Sequence, residues 1–195
     1  MRLLLATHNE HKLREFARLL ERPEGHGWTL QPLPDGVRLP PEDGDTFAQN
    51  ALGKARAAAA ATGQLSIADD SGIAAAALGG APGVRSARYA GEDASDEQNL
   101  QKLKVQAPPG SGLEYVCAIA YVDPAGRVER VFEGRCTGRV APEPRGQRGF
   151  GYDPLFLPDD GPVGMTMAEL SDEQKDAISH RGRAARALVA WLNAG

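Results

Sequence analysis

The sequence predicts a mixed α/β fold, α+β-like in its connections, built around a mixed central β-sheet. Three observations carry that expectation. Two short apolar runs, Leu3-Leu4-Leu5-Ala6 and Leu65-Ser66-Ile67-Ala68, suit strands buried on both faces. Segments with helical periodicity alternate with them. Residues 114–122 are apolar on both alternating sets and lead through Asp123-Pro124-Ala125-Gly126 into a second strand-like stretch, which predicts an antiparallel pair.

Each element has its own signal. After the first strand, Thr7-His8-Asn9 hands over to Leu13, Phe16, Ala17 and Leu20 at i, i+3, i+4 and i+7, one face of a helix. Residues 22–45 are rich in Pro, Gly and Asp, and their scattered apolar positions predict short irregular strands. Thr46-Phe47-Ala48-Gln49 has the spacing of a capping box, and the Ala-rich run to Thr62, closed by Gly63, predicts a helix. The strand from Leu65 is expected to stop at Asp69-Asp70-Ser71-Gly72, leaving carboxylates at its carboxyl end. Gly and Pro predict loop over 79–91, and 96–105 reads as a short helix. Residues 114–122 form a central strand whose partner runs over 127–135. Ser171 with Gln174 starts a terminal helix that buries Leu188, Trp191 and Leu192.

A chain of 195 residues builds one core of ordinary size, so a single domain spanning 1–195 is expected. Charged residues make up 25% and hydrophobic ones 42%, the composition of a folded globular protein. The formal net charge of −4 leaves no general basic surface, which argues against stable nucleic-acid binding and for a small anionic substrate held in a local pocket. Cys117 and Cys136 lack CxxC spacing, so buried free thiols are expected rather than zinc or redox chemistry. The apolar run after Met1-Arg2 is too short for a secretory signal, and no stretch reaches the ~20 apolar residues that span a bilayer. A cytoplasmic location without membrane contact follows as the expectation.

Several segments could carry chemistry. Thr7-His8-Asn9 and Lys12 occupy a strand-to-helix turn, where free N–H groups attract anions and a first-turn lysine suggests phosphate; the alternative is a plain Asn9 N-cap and a solvated lysine. Asp69 and Asp70 could hold a hard cation or take a proton from water. Because consecutive strand residues face opposite sides, one should face the site and the other anchor the loop. Glu42 is a candidate second metal ligand, and Lys54, on the same helix face as Asn50, could reach a phosphate or remain solvated. Gly149-Phe150-Gly151-Tyr152-Asp153-Pro154 is not a dinucleotide loop, because Pro154 replaces the third glycine. Its aromatics could instead approach a planar base, with Asp153 accepting from a ring N–H, or they could pack in the core. Lys175 and Ser179-His180-Arg181 place three potential cations within seven residues, and the donors of His180 and Arg181 match a carbonyl on a base edge, where an amino group would be rejected; a charged helix surface is the alternative.

Taken in order, these segments resemble the inosine triphosphate pyrophosphatase family, the XTP/dITP diphosphatases. The likeness rests on Ala6-Thr7-His8-Asn9 with Lys12, Thr46-Phe47 with Asn50-Ala51 and Lys54-Ala55, and residues 68–72, 79–91, 149–156 and 168–182. It implies an elongated two-lobed fold around a long mixed sheet with a nucleotide cleft between the lobes, and a homodimer. It also implies cleavage between the α- and β-phosphates of deaminated purine nucleoside triphosphates. By the same resemblance Thr7, His8, Asn9, Glu10, His11, Lys12 and Lys54 would hold the phosphates. Glu42 and Asp70 would bind Mg2+, with Asp70 also the base that activates water. Ser71 would contact substrate, Phe150, Gly151, Tyr152 and Asp153 would cradle the base or sugar, and Lys175, His180 and Arg181 would read the 6-oxo purine edge. The family's first loop often has Gly where this chain has His8.

Overall fold

The computed structural model describes residues 1–20 and 28–194. Six strands form one sheet in the order β2-β1-β3-β4-β5-β6. They are β1 (Arg2–Leu5), β2 (Thr29–Pro32), β3 (Ser66–Ala75), β4 (Gly112–Val122), β5 (Glu129–Val140) and β6 (Phe156–Pro158). β1 pairs in parallel with both β2 and β3, and β6 lies antiparallel to β5. β4 and β5 form the expected antiparallel pair. The Asp123 amide donates to the Val128 carbonyl at one end and the Val140 amide to the Ser111 carbonyl at the other. The sheet is therefore mixed, as the sequence predicts.

Five helices accompany it among the described residues: α1 (Glu10–Leu20), α2 (Phe47–Thr62), α3 (Asp96–Gln106), α4 (Asp172–Ile178) and α5 (His180–Ala194). The ends of α2 follow from local chemistry. Thr46 accepts from the Gln49 amide while the Gln49 side chain reaches back to the Thr46 amide, and Gly63 closes the helix at φ 66°. Such a cap contributes about 1 kcal/mol, and the left-handed closing residue is least costly as glycine.

The chain divides into two compact units. One comprises Met1–Asp70, Cys117–Gly134 and Ala184–Gly195, and the other Ser71–Val116 and Arg135–Arg183. In the first, Leu3, Leu5, Ile67, Cys117 and Ile119 pack with Phe16 and Leu20 of α1 and Leu188 of α5. On the opposite sheet face Leu4, Ala6, Ala68, Ala118 and Ala120 pack with Ala51, Ala55 and Ala58 of α2. Small residues on both sides bring that helix close to the strands. In the second unit the core joins Ile73, Leu100, Leu103, Tyr115, Val140, Leu155 and Phe156.

Four sequence expectations change. β3 does not stop at Asp69 but runs on to Ala75, because both aspartates find polar partners inside the fold and the backbone need not turn out to water. The partner of β4 is longer than expected and ends at Val140. Ser179, with φ −66° and ψ 155°, breaks the terminal helix into α4 and α5. Within 79–91 the chain makes a 3-10 turn over Gly83–Arg88 rather than plain loop. Of the irregular strands expected over 22–45, β2 alone forms among the described residues, and positions 22–27 lie outside them.

Candidate active site

The first unit gathers two lysines, three carboxylates and one amide. Asp69 and Asp70, neighbours on β3, point to opposite faces. Asp69 is fully buried and meets Lys12 of α1, whose Nζ lies 3.0 Å from its Oδ2. Asp70 is 4% exposed and its Oδ2 accepts from Asn50 Nδ2 of α2 at 2.8 Å. Lys54, one turn further along α2, donates to the Glu42 carboxylate and to the Asp69 carbonyl. The loop carrying Glu42 is tied to α2 as well, since the Gly44 amide donates to Asn50 Oδ1 at 2.8 Å. The two aspartates thus meet different helices, as the strand's alternation requires.

The electrostatics follow from burial. Desolvation pushes the Asp70 pKa up, and the charge of Glu42 pushes it further; Lys54, the Asn50 hydrogen bond and Lys12 oppose both without cancelling them. For Lys54, burial favours the neutral amine, but Asp69, Glu42 and Asp70 outweigh it and raise its pKa. Lys54 is therefore a permanent cation. Among the described residues no three His, Cys, Asp or Glu side chains converge as a complete metal cage. The Glu42 and Asp70 pair still suits Mg2+, which takes one or two carboxylates and completes its octahedron with water and phosphate oxygens. Their mutual repulsion, seen in the raised Asp70 pKa, is what a divalent cation would relieve.

At the start of α1, Asn9 is the N-cap: its Oδ1 accepts from the His11 and Lys12 amides at 2.9 and 3.1 Å. Its own amide donates to Thr7 Oγ1 at 3.2 Å. Thr7 is buried, whereas His8, Asn9, Glu10 and His11 are exposed. Lys12 is not a solvated charge, because Asp69 holds it.

The second unit assembles the other candidates around Asp153. That carboxylate, 2% exposed, accepts from Lys175 Nζ at 2.7 Å and the Phe150 amide at 3.0 Å on Oδ2, and from the Tyr115 hydroxyl at 3.1 Å on Oδ1. The Tyr115 ring stacks on His180, with centroids 4.5 Å apart and planes 6° from parallel. Arg181 is buried, donates to Ser71 Oγ at 2.8 Å, and lies 5.5 Å from the Phe150 ring centre; Lys175 Nζ lies 5.2 Å from it. Phe150 is half-buried. Gly151 is half-buried at φ 62°, its amide donating to Asp96. Tyr152 belongs to the core, and its hydroxyl donates to the Ser86 carbonyl at 2.7 Å. Sequence reasoning singled out neither Asn50 nor Tyr115 as a site residue. For Asn50 a signal existed, an amide four residues before Lys54 in an Ala-rich helix; Tyr115 read only as strand.

A profile of the Ham1 family matches residues 3–191. The chain belongs to the Ham1 family. Relatives named dITP/XTP pyrophosphatase cover it almost end to end. The one from Frankia alni is 50% identical, over 98% of this chain and 97% of its own, and the one from Gloeobacter violaceus 46%, over 99% and 95%. Solved structures agree. A HAM1 protein from Coxiella burnetii superposes with a TM-score of 0.88 at 38% identity, covering 100% of both chains. The Staphylococcus aureus Ham1 protein gives 0.82 at 36%, covering 100% of this chain and 99% of its own. Membership in the Ham1 family accords with the motif-by-motif resemblance and with the mixed α/β architecture.

Proposed function

We propose that this Ham1-family chain hydrolyses deaminated purine nucleoside triphosphates, ITP, dITP and XTP, to the nucleoside monophosphate and pyrophosphate. In doing so it removes them from the pool that feeds DNA and RNA synthesis. The observation that carries this reading is the end-to-end similarity to relatives named dITP/XTP pyrophosphatase. The reading includes a Mg2+ requirement, a homodimer and a cytoplasmic location. No helix among the described residues is long and apolar enough to cross a membrane.

In the proposed reaction, water attacks the α-phosphorus, the bond to the bridging α–β oxygen breaks, and pyrophosphate leaves. Asp70 holds the attacking water and takes its proton. Its raised pKa makes it a better base than an ordinary carboxylate. Asn50 keeps the carboxylate in one orientation. Glu42 and Asp70 would hold Mg2+, which when bound neutralises triphosphate charge. Lys54 and Lys12, with the residues from Thr7 to His11, bind the phosphates and stabilise the leaving pyrophosphate. In the second unit, Phe150 offers a ring face to the base. Lys175, His180 and Arg181 present donors to the 6-oxo edge, where a 6-amino group would leave them unpaired.

The test is to supply ITP, dITP, XTP, ATP, dTTP and UTP with Mg2+ and to measure monophosphate and pyrophosphate separately. Turnover of the deaminated purines with both products in equal amounts is expected. Cleavage of pyrimidine triphosphates alone, or release of orthophosphate, overturns the reading.

A further inference from the structure

Resting on that reading, we infer that Tyr115 of β4 is the positioning residue that sets the purine selectivity of the site, by holding three of the base-reading groups at once. Those groups come from distant parts of the chain: Phe150 from the glycine-flanked turn, Lys175 from α4, and His180 from the first position of α5. None belongs to a strand that could place it rigidly. Tyr115 does, and every residue of β4 from Tyr115 to Val122 is buried.

Its hydroxyl occupies Oδ1 of Asp153. The carboxylate plane is thereby set so that Oδ2 meets Lys175 Nζ and the Phe150 amide together. Its ring lies flat on the His180 imidazole and at 40° to the Phe156 ring, 4.7 Å away. Stacking of this kind fixes the plane of the imidazole, and hence the direction in which its ring nitrogens point. Discrimination between a 6-oxo and a 6-amino purine depends on donors held in one direction, because a donor free to turn finds another acceptor, a ring nitrogen or water, when the edge carries an amino group. Tyr115 itself is 6% exposed and acts through its neighbours.

The experiment compares kcat/KM for ITP with that for ATP in the wild type, Tyr115→Leu, Tyr115→Met and Tyr115→Phe, with melting temperatures alongside. Leu and Met remove the ring, whereas Phe keeps the stack and loses only the hydroxyl. The expected result is an ITP/ATP ratio reduced roughly ten-fold or more in the ringless variants, with part of it recovered by Phe, which keeps the stack on His180 but not the hydrogen bond to Asp153. Met fills irregular space and provides a folded ringless variant should Leu not fold. A folded ringless variant that keeps the wild-type ratio overturns the inference, as does a Phe variant no more selective than Met. Failure of the underlying reading looks different, since the wild type itself would then not favour ITP over ATP.

Discussion

The Asn50 amide joins Asp70 to the acidic loop: Nδ2 donates to Asp70 Oδ2 at 2.8 Å, and Oδ1 accepts from the Gly44 amide at 2.8 Å. Each half of the amide has a partner that only that half can serve, so its orientation is fixed. Asn50→Asp places a second carboxylate against Asp70 and raises the Asp70 pKa further, so the acidic limb of the kcat profile should move to higher pH. Asn50→Ala leaves the Gly44 amide without this acceptor and should cost about 1–2 kcal/mol of stability. A pH–rate profile unchanged in Asn50→Asp would count against Asp70 as the base.

Asp70→Asn should lower kcat by about 10²–10⁴-fold while making the protein more heat-stable at neutral pH. The sign follows from its pKa, raised above the ordinary 3.8 by burial and by Glu42. Between that value and the higher folded one, the native state holds more protons than the unfolded chain. The group's contribution is therefore lost as pH rises through the folded pKa, and the ionised form is a net cost above it. Melting curves of the two proteins should be furthest apart near pH 8 and converge towards pH 4. A variant less stable than wild type at pH 8 contradicts this account.

Lys54→Met should lower both stability and activity. The methionine fills the space of the stem but leaves Glu42 and Asp70 without the cation between them. Breaking a fully buried pair costs more, but Glu42 keeps about a third of its side chain in water, so a loss of about 1–3 kcal/mol is expected. Denaturant unfolding measures it, and added Mg2+ should recover part of the stability.

Gly149→Ala should abolish the Asp153 hub. Gly149 sits at φ +72°, and a Cβ there would fall 2.0 Å from Asp153 Oδ2 and 3.0 Å from Lys175 Nζ. The carboxylate must move, and its hydrogen bonds to Lys175 and the Phe150 amide go with it. A stability loss of about 2 kcal/mol or more, with kcat/KM for ITP reduced, is the expected outcome of thermal melting and steady-state assay.

Cys117 and Cys136 should be silent to thiol reagents in the native protein. Both are fully buried, and burial raises the Cys136 pKa to about 11, so little thiolate exists at neutral pH. Two thiols should titrate after denaturation and none before it.

The sequence by itself determined the elements whose signals are local. The capping boxes at Thr46 and Ser171 and the left-handed closure at Gly63 are made within a few residues, and the structure has them where the pattern places them. The alternation along β3 likewise sends Asp69 and Asp70 to different helices. What the tertiary structure alone decided is what those side chains meet. Asp-Asp-Ser-Gly reads as a turn because isolated carboxylates seek water; Lys12, 57 positions before Asp69, and Asn50, 20 before Asp70, satisfy them inside the fold, so β3 continues. Lys12 could be read either as phosphate-binding or as solvated for the same reason, its partner being remote in the chain. Tyr115 read as a strand residue and no more, because its hydroxyl and ring find Asp153 and His180 at separations of 38 and 65 positions. Periodicity and capping are short-range and can be read directly, whereas the energy of a buried charge or a stacked ring depends on neighbours that only folding brings near.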